Sequence, residues 1–295
     1  MKISQTIIKK ENFESSNIQE KNIGEMKIIF VPKLESFQFT NNIQDLKEHV
    51  FIKKIKDAFQ IENCIQVVGD VTLWDKQKIP IIQERLFEIL NDEKFSHVNY
   101  GYTGRKCKKT GKRYGVNTMT SLLADSCDSI GNKIIGNLVD FHTTHAIKNW
   151  GCTTSKECKN FVCVGPNCRF GDDIMISDLM CSEMICIEGG MQSFRQVVNM
   201  LLLERKVQCF IGARTKTEGE RFFSCSRFLQ NFQNKEELSA EEIQKEIENF
   251  MQNFVKYDKN KEDHKTKDPL FNDAIEKFIE YKLWKKLNLI SFTKF

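Results

Sequence analysis

The residues best suited to chemistry lie between an apolar run and an amphipathic one. Met184–Ile187 (MICI) leads into Glu188-Gly189-Gly190-Met191-Gln192-Ser193. Phe194, Val197, Val198, Leu201 and Leu202 then recur at i, i+3, i+4, i+7 and i+8. That pattern is a strand, a turn and a helix. Two glycines allow a tight turn and let a ligand approach the backbone. The helix opens with free N–H groups and a partial positive charge, which suits a phosphate. Ser193 adds a hydroxyl donor. The same pair of glycines also fits a plain β–α turn with no ligand.

Two other turns share this character. Cys64–Val68 (CIQVV) runs into Gly69-Asp70, and His97–Tyr100 runs into Gly101-Tyr102-Thr103-Gly104. Gly115-Val116-Asn117-Thr118 then opens a second helical pattern. Asp70 and Asp140 each close a strand, where a carboxylate can meet a ribose hydroxyl or simply serve a turn or cap. Between the second turn and its helix, Arg105–Arg113 (RKCKKTGKR) carries Arg105, Lys106, Lys108, Lys109, Lys112 and Arg113 with no acid. It reads as a basic flap for a polyanion or as a solvated loop, and it holds no aromatic residue to stack a base.

Cys152, Cys158, Cys163 and Cys168 are spaced C-x5-C-x4-C-x4-C. The gaps are long for zinc knuckles, so free thiols are expected, with zinc as the alternative. His142-x-x-His145 reads as ordinary loop residues, or as a metal pair or ligand contact. No metal and no cofactor is assigned. There is no G-x-x-x-x-G-K-[ST] loop and no G-x-S-x-G elbow, so neither a P-loop nor a hydrolase nucleophile is indicated.

The elements that must position these groups follow from the rest of the 295 residues. Hydrophobic residues make up 40% and charged residues 28%, with a net charge of +4. This is a globular composition, neither collagen-like nor disordered, and its charge alone does not point to nucleic acid. No apolar run nears the length of a spanning helix, the longest candidates resembling Met200–Leu203. A secretory signal is not expected at the N-terminus. Eleven cysteines without one imply reduced thiols and a cytoplasmic setting.

Strands are expected at 27–31, 64–68, 97–100, 133–139, 161–164, 184–187 and 207–211. Helices are expected at 46–60, about Ile82–Leu90, over 115–130 with Gly131 just past the end, and from Phe194. Such alternation implies a mostly parallel α/β sheet with helices on both faces. The expected organisation is a polar arm over 1–25, one domain over 26–235 and a helical extension over 236–295. Ser239-x-x-Glu242 is a capping box within that extension.

Ser182–Gly212 resembles the LOG, or lysine decarboxylase-like, branch of the SLOG superfamily, in which PGGxGTxxE stands between a strand and a helix. The corresponding residues here are Glu188-Gly189-Gly190-Met191-Gln192-Ser193-Phe194-Arg195-Gln196. Val98–Gly101 with Gly115–Thr118 is similar to that family's second strand and GGGxxGLMG turn, and Cys64–Asp70 to its first strand. The likeness spans about 62–230. It implies a Rossmann-like fold and binding of a nucleotide or nucleotide derivative, since LOG enzymes cleave the N-glycosidic bond of nucleoside 5′-monophosphates. By matched position, Gly189, Gly190 and Ser193 would hold phosphate, with Gly101, Gly115, Asn117 and Thr118 across the site.

The catalytic positions depart from the family. Gln196, an amide, stands where the family has its Glu, and cannot act as a base. No Arg occupies the Gly171–Ile174 segment, with Arg169 the nearest substitute. Gln192 replaces a glycine and Glu188 a proline, the latter placing negative charge beside the anion site. The expectation is a nucleotide binder with hydrolysis weak or lost. The alternative is a catalytically inert structural or interaction subunit of a larger assembly, cytoskeletal or ribonucleoprotein, on the same fold. It would dock through the 105–113 loop, the N-terminal arm and the C-terminal helices. A homodimer is a further expectation, and a membrane partner is not.

Overall fold

The computed structural model describes residues 18–32, 50–70, 77–101, 103–104, 115–139, 152–153, 157–165, 174–214, 223–233, 238–257 and 269–295. Apolar alternation builds the centre. In β3 (Cys64–Gly69), Cys64 and Val68 face one core layer while Ile65 and Val67 face the other. A strand buried on both sides reads as a near-continuous apolar run, as CIQVV does.

The chain order is β1 (Gln19–Ile23), β2 (Met26–Pro32), α1 (Val50–Phe59), β3, α2 (Ile79–Leu90), β4 (His97–Tyr100) and β5 (Thr103–Gly104). Next come α3 (Val116–Ser126), α4 (Asp128–Gly131), β6 (Ile134–Val139), β7 (Cys152–Thr153), β8 (Asn160–Gly165) and α5 (Ile174–Met180). Then follow β9 (Glu183–Ile187), α6 (Met191–Leu202), β10 (Lys206–Ile211), α7 (Cys225–Gln233), α8 (Ala240–Tyr257) and α9 (Pro269–Glu280). A 3-10 helix, Leu283–Leu289, leads into β11 (Ile290–Lys294).

The main sheet runs β1-β2-β8-β6-β4-β3-β9-β10-β11. Every neighbouring pair is parallel except β1 with β2. The inner order β6-β4-β3-β9-β10-β11 is the doubly wound Rossmann arrangement, extended at one edge by β8, β2 and β1. One face is covered by α1, α5, α6 and the C-terminal segment, and the other by α2, α3 and α4. The fold is therefore α/β, Rossmann-like, with helices on both faces.

Several expectations change. Gln19–Ile23, assigned to a loose arm, forms a β-hairpin edge with β2; residues 1–17 lie outside the described residues. The helix expected over 115–130 breaks at Cys127, which is extended (φ −142°, ψ 110°), and Gly131 ends the short α4 instead of following the helix. The strand expected at 161–164 is β8, and it pairs with both β2 and β6.

The extension expected to be helical ends in a strand, since β11 adds a parallel edge to β10. The C-terminal segment is thus not purely helical, and it shares the main core. Ile243, Ile247, Ala274, Phe278, Leu283 and Leu287 are buried in the layer that holds α6. Phe194 lies at its centre, with ring centroids 6.1 Å from Phe223, 5.5 Å from Phe228 and 5.8 Å from Phe278. The capping box forms as expected: the Ser239 amide donates to Glu242 Oε2 (2.8 Å) and the Glu242 amide to Ser239 Oγ (3.1 Å).

Candidate functional site

The chain lays β3, β4, β6 and β8 successively to one side, then returns to place β9 on the other side of β3. The carboxyl ends of β3 and β9 are therefore the switch point where open α/β sheets form their crevice. Two of the turns singled out from sequence meet there. Gly69 ends β3, and a Cβ on it would lie 2.5 Å from Ile187 O and 2.7 Å from Val116 Cγ2, so only glycine lets β9 and α3 come this close. The Asp70 amide donates to Ile187 O (3.1 Å), and the Val116 amide donates to Asp70 O (2.9 Å).

Both helix N-termini point to this end of the sheet. Gly115 caps α3 in an extended conformation, and Gly190 does the same for α6. Gly101 lies against α3, since a Cβ on it would be 3.2 Å from Asn117 Nδ2. Asn117 Oδ1 is buried without a hydrogen-bond partner among the described residues. Thr118 is buried in the first turn of α3, and Ser193 in the first turn of α6. Gln196 lies one turn further along α6, 9% exposed. Gly190 faces open space among the described residues, with nothing within 4 Å of the place a Cβ would take.

Conformational demand falls on Glu188 (φ 54°) and Gly189 (φ 78°). A Cβ on Gly189 would stand 2.6 Å from Ser193 Cβ and 3.0 Å from Cys186 Sγ. Gln192 lies inside α6 without a positive φ, so its backbone does not require a glycine there.

Glu188 likewise does not burden the anion site. Its carboxylate is fully buried and turned toward β10 and α7. It accepts from the amides of Gly212 (2.8 Å) and Ala213 (3.1 Å), from Ser224 Oγ (2.6 Å) and from Arg227 Nη2 (3.0 Å). The turn is braced from behind as well, because the Cys225 and Ser226 amides donate to Gly189 O and Glu188 O, both at 2.9 Å.

Sequence reasoning missed Arg214. It forms a bidentate pair with Asp70, Nε to Oδ2 and Nη2 to Oδ1, both 2.6 Å, and Nη2 also donates to Phe223 O (3.0 Å). Both side chains are more than nine-tenths buried. Burial pushes the Asp70 carboxyl above its usual range, against the pull of Arg214. Asp70 is thus committed to an ion pair, and its expected ribose contact would have to compete with a guanidinium. The partners are 144 residues apart, so no local pattern announces them.

Asp178 was missed too. It lies in α5, fully buried, and Oδ2 accepts from Asn199 Nδ2 (2.6 Å). Burial raises its pKa to about 7, opposed by the hydrogen bond from Asn199. It adjoins a polar layer within the sheet, where Asn99 and Asn137 exchange amide hydrogen bonds (2.9 and 3.0 Å) and Asn137 donates to Ser177.

Of the cysteines considered for zinc, Cys158 and Cys163 are buried in the layer facing α2 and α3. Burial pushes the Cys158 thiol up to about 12, which disfavours the thiolate a metal needs. Cys168, Arg169, Asp140, His142, His145, the 105–113 loop and the side chain of Cys152 lie outside the described residues.

No helix among the described residues is long and apolar enough to cross a membrane. No family model matches the sequence, and no curated protein matches it.

Proposed function

We propose that this chain is a divergent LOG-like, SLOG-type protein that binds a nucleotide or nucleotide derivative. The Gly189–Ser193 turn would hold the phosphate, and N-glycosidic hydrolysis of a nucleoside monophosphate would be weak or lost. The observation that carries the reading is the convergence of two glycine-capped helix N-termini, α3 and α6, on the β3/β9 switch point. The first-turn amides of α6 have no acceptor within their own helix, and a phosphate over Gly190 would supply one. Ser193 adds a hydroxyl. Asn117 Oδ1 offers an unused acceptor to a ligand hydroxyl or amino group.

Hydrolysis requires an acid or base and a carboxylate beside the forming oxocarbenium charge. Gln196 supplies neither. Glu188 is consumed by its buried partners and Asp70 by Arg214. The residues present therefore support binding better than turnover.

The same consumption of charge supports the second reading, a catalytically inert interaction subunit. A crevice whose carboxylates and guanidiniums are paired internally keeps its shape without a ligand.

A thermal-shift panel of AMP, ADP-ribose and NAD separates the two, because a ligand that binds only the native state raises the melting temperature by mass action. A rise with at least one phosphorylated nucleoside supports the first reading, and no rise with any supports the second. Release of free base from a nucleoside monophosphate at an ordinary enzymatic rate would overturn both.

A further inference from the structure

Away from the crevice, at the amino end of the sheet, two cysteines distant in sequence meet. Cys181 Sγ lies 3.2 Å from Cys64 Sγ, across a sequence separation of 117 residues. The contact follows from strand register. β3 and β9 pair Ile65 with Glu183, which sets Cys64 opposite Ser182 and beside Cys181. The Ser182 amide and hydroxyl both donate to Cys64 O (2.8 and 3.1 Å), fixing the two backbones.

We propose that Cys64 and Cys181 form an oxidisable dithiol, an oxidative modification site that a small two-electron oxidant such as a peroxide converts to a disulfide. Three features support it. The sulfurs are already in contact, so closing the bond takes a shift of about 1 Å to reach disulfide length. Two cations flank the pair from different elements. Arg205, ahead of β10, donates to the carbonyls of Asp178, Leu179 and Cys181 itself. Lys56 on α1 is close enough to interact electrostatically with both thiols. Burial and the neighbouring Cys64 hold the Cys181 thiol well above its ordinary range, and the Arg205 guanidinium acts against them. Finally, both buried cysteines lie close in sequence to the surface, Cys181 next to exposed Ser182 and Cys64 two residues from exposed Glu62.

The chemistry balances without further cofactors. One thiol gives up its proton, and its sulfur attacks the peroxide O–O bond, forming a sulfenic acid and water. The second sulfur displaces the sulfenic oxygen as a second water, and its proton leaves with that water. Each sulfur loses one electron, and the peroxide gains two. The bond joins the two strands whose opposite ends carry Gly69 and Glu188, so oxidation would staple the base of the switch point.

The test treats the native full chain with hydrogen peroxide and maps peptides without reduction. The expected product is a Cys64–Cys181 cross-linked peptide, with two fewer of the eleven thiols titratable and full reversal by dithiothreitol. The melting temperature should rise by about 7 °C, from closing so long a loop. Cys64→Ala and Cys181→Ala should each lose the cross-link. The same treatment of the urea-unfolded wild-type chain, which needs no variant to fold, should not favour this pair. A cross-link at another pair, such as Cys186 with Cys209, would overturn the proposal. So would all thiols surviving, irreversible oxidation, or equal yield from the unfolded chain.

Discussion

Replacing Asp178 with asparagine should change how stability depends on pH, and the structure gives the size and sign. Asp178 is fully buried, and its carboxyl is raised from 3.8 to about 7, chiefly by desolvation. Asp178 Oδ1 and Gln66 Oε1 are both buried without a donor among the described residues. A proton on the acid supplies the donor this oxygen-rich corner lacks. The folded state therefore holds a proton that the unfolded state releases near pH 4. The stabilisation it brings is complete below about pH 4 and is lost as pH rises through about 7.

A shift of about three units corresponds to about 4 kcal/mol over that window. Asp178→Asn keeps an acceptor for Asn199, gains N–H donors and cannot ionise. Urea unfolding under reducing conditions, run at intervals from pH 4.5 to 8, compares the two proteins. The variant should gain on the wild type steadily with pH, ending about 2–4 kcal/mol ahead at pH 8. A difference that stays flat with pH, or a wild type more stable than the variant at pH 8, refutes the assignment of a buried neutral acid.

Two other substitutions probe the turn itself. Gly189→Ala meets both a left-handed φ of 78° and a contact of 2.6 Å with Ser193 Cβ, so chemical denaturation should show a loss of about 2–3 kcal/mol. Glu188→Ala leaves the Gly212 and Ala213 amides, Ser224 and Arg227 without their acceptor, at a cost of about 2–4 kcal/mol by the same measurement. Glu188→Gln, which keeps an acceptor oxygen, should cost less.

The fold was legible where burial imposed a period. CIQVV and MICI are buried on both faces and could be read as central strands, and the i, i+3, i+4 stripe of α6 matches its buried residues. α5 escaped because its seven residues carry no polar stripe. Ser177 and Asp178 are as buried as Ile176 and Leu179. β11 escaped because ISFTK has weak alternation and becomes a strand only by pairing with β10.

The glycine turns of the site could be located from sequence, since tight β–α connections demand them locally. The partners of the charges could not. Glu188 looked like a negative charge on the anion site until its φ of 54° turned the carboxylate toward β10 and α7. Asp70 looked free until β10 delivered Arg214.

The central claim is that an anion is held over Gly190 at the start of α6, and calorimetric titration of AMP, ADP-ribose and NAD into the wild type and Gly190→Asp tests it most directly. The φ of −92° and the open space at Gly190 accept a side chain, and aspartate is a favoured helix N-cap, so the variant should fold at least as stably as the wild type. Its carboxylate would occupy the anion position and repel a phosphate. The account predicts saturable binding by the wild type and at least about a tenfold loss in the variant. A wild type that binds none of AMP, ADP-ribose and NAD, or two proteins that bind the ligand equally, would contradict it.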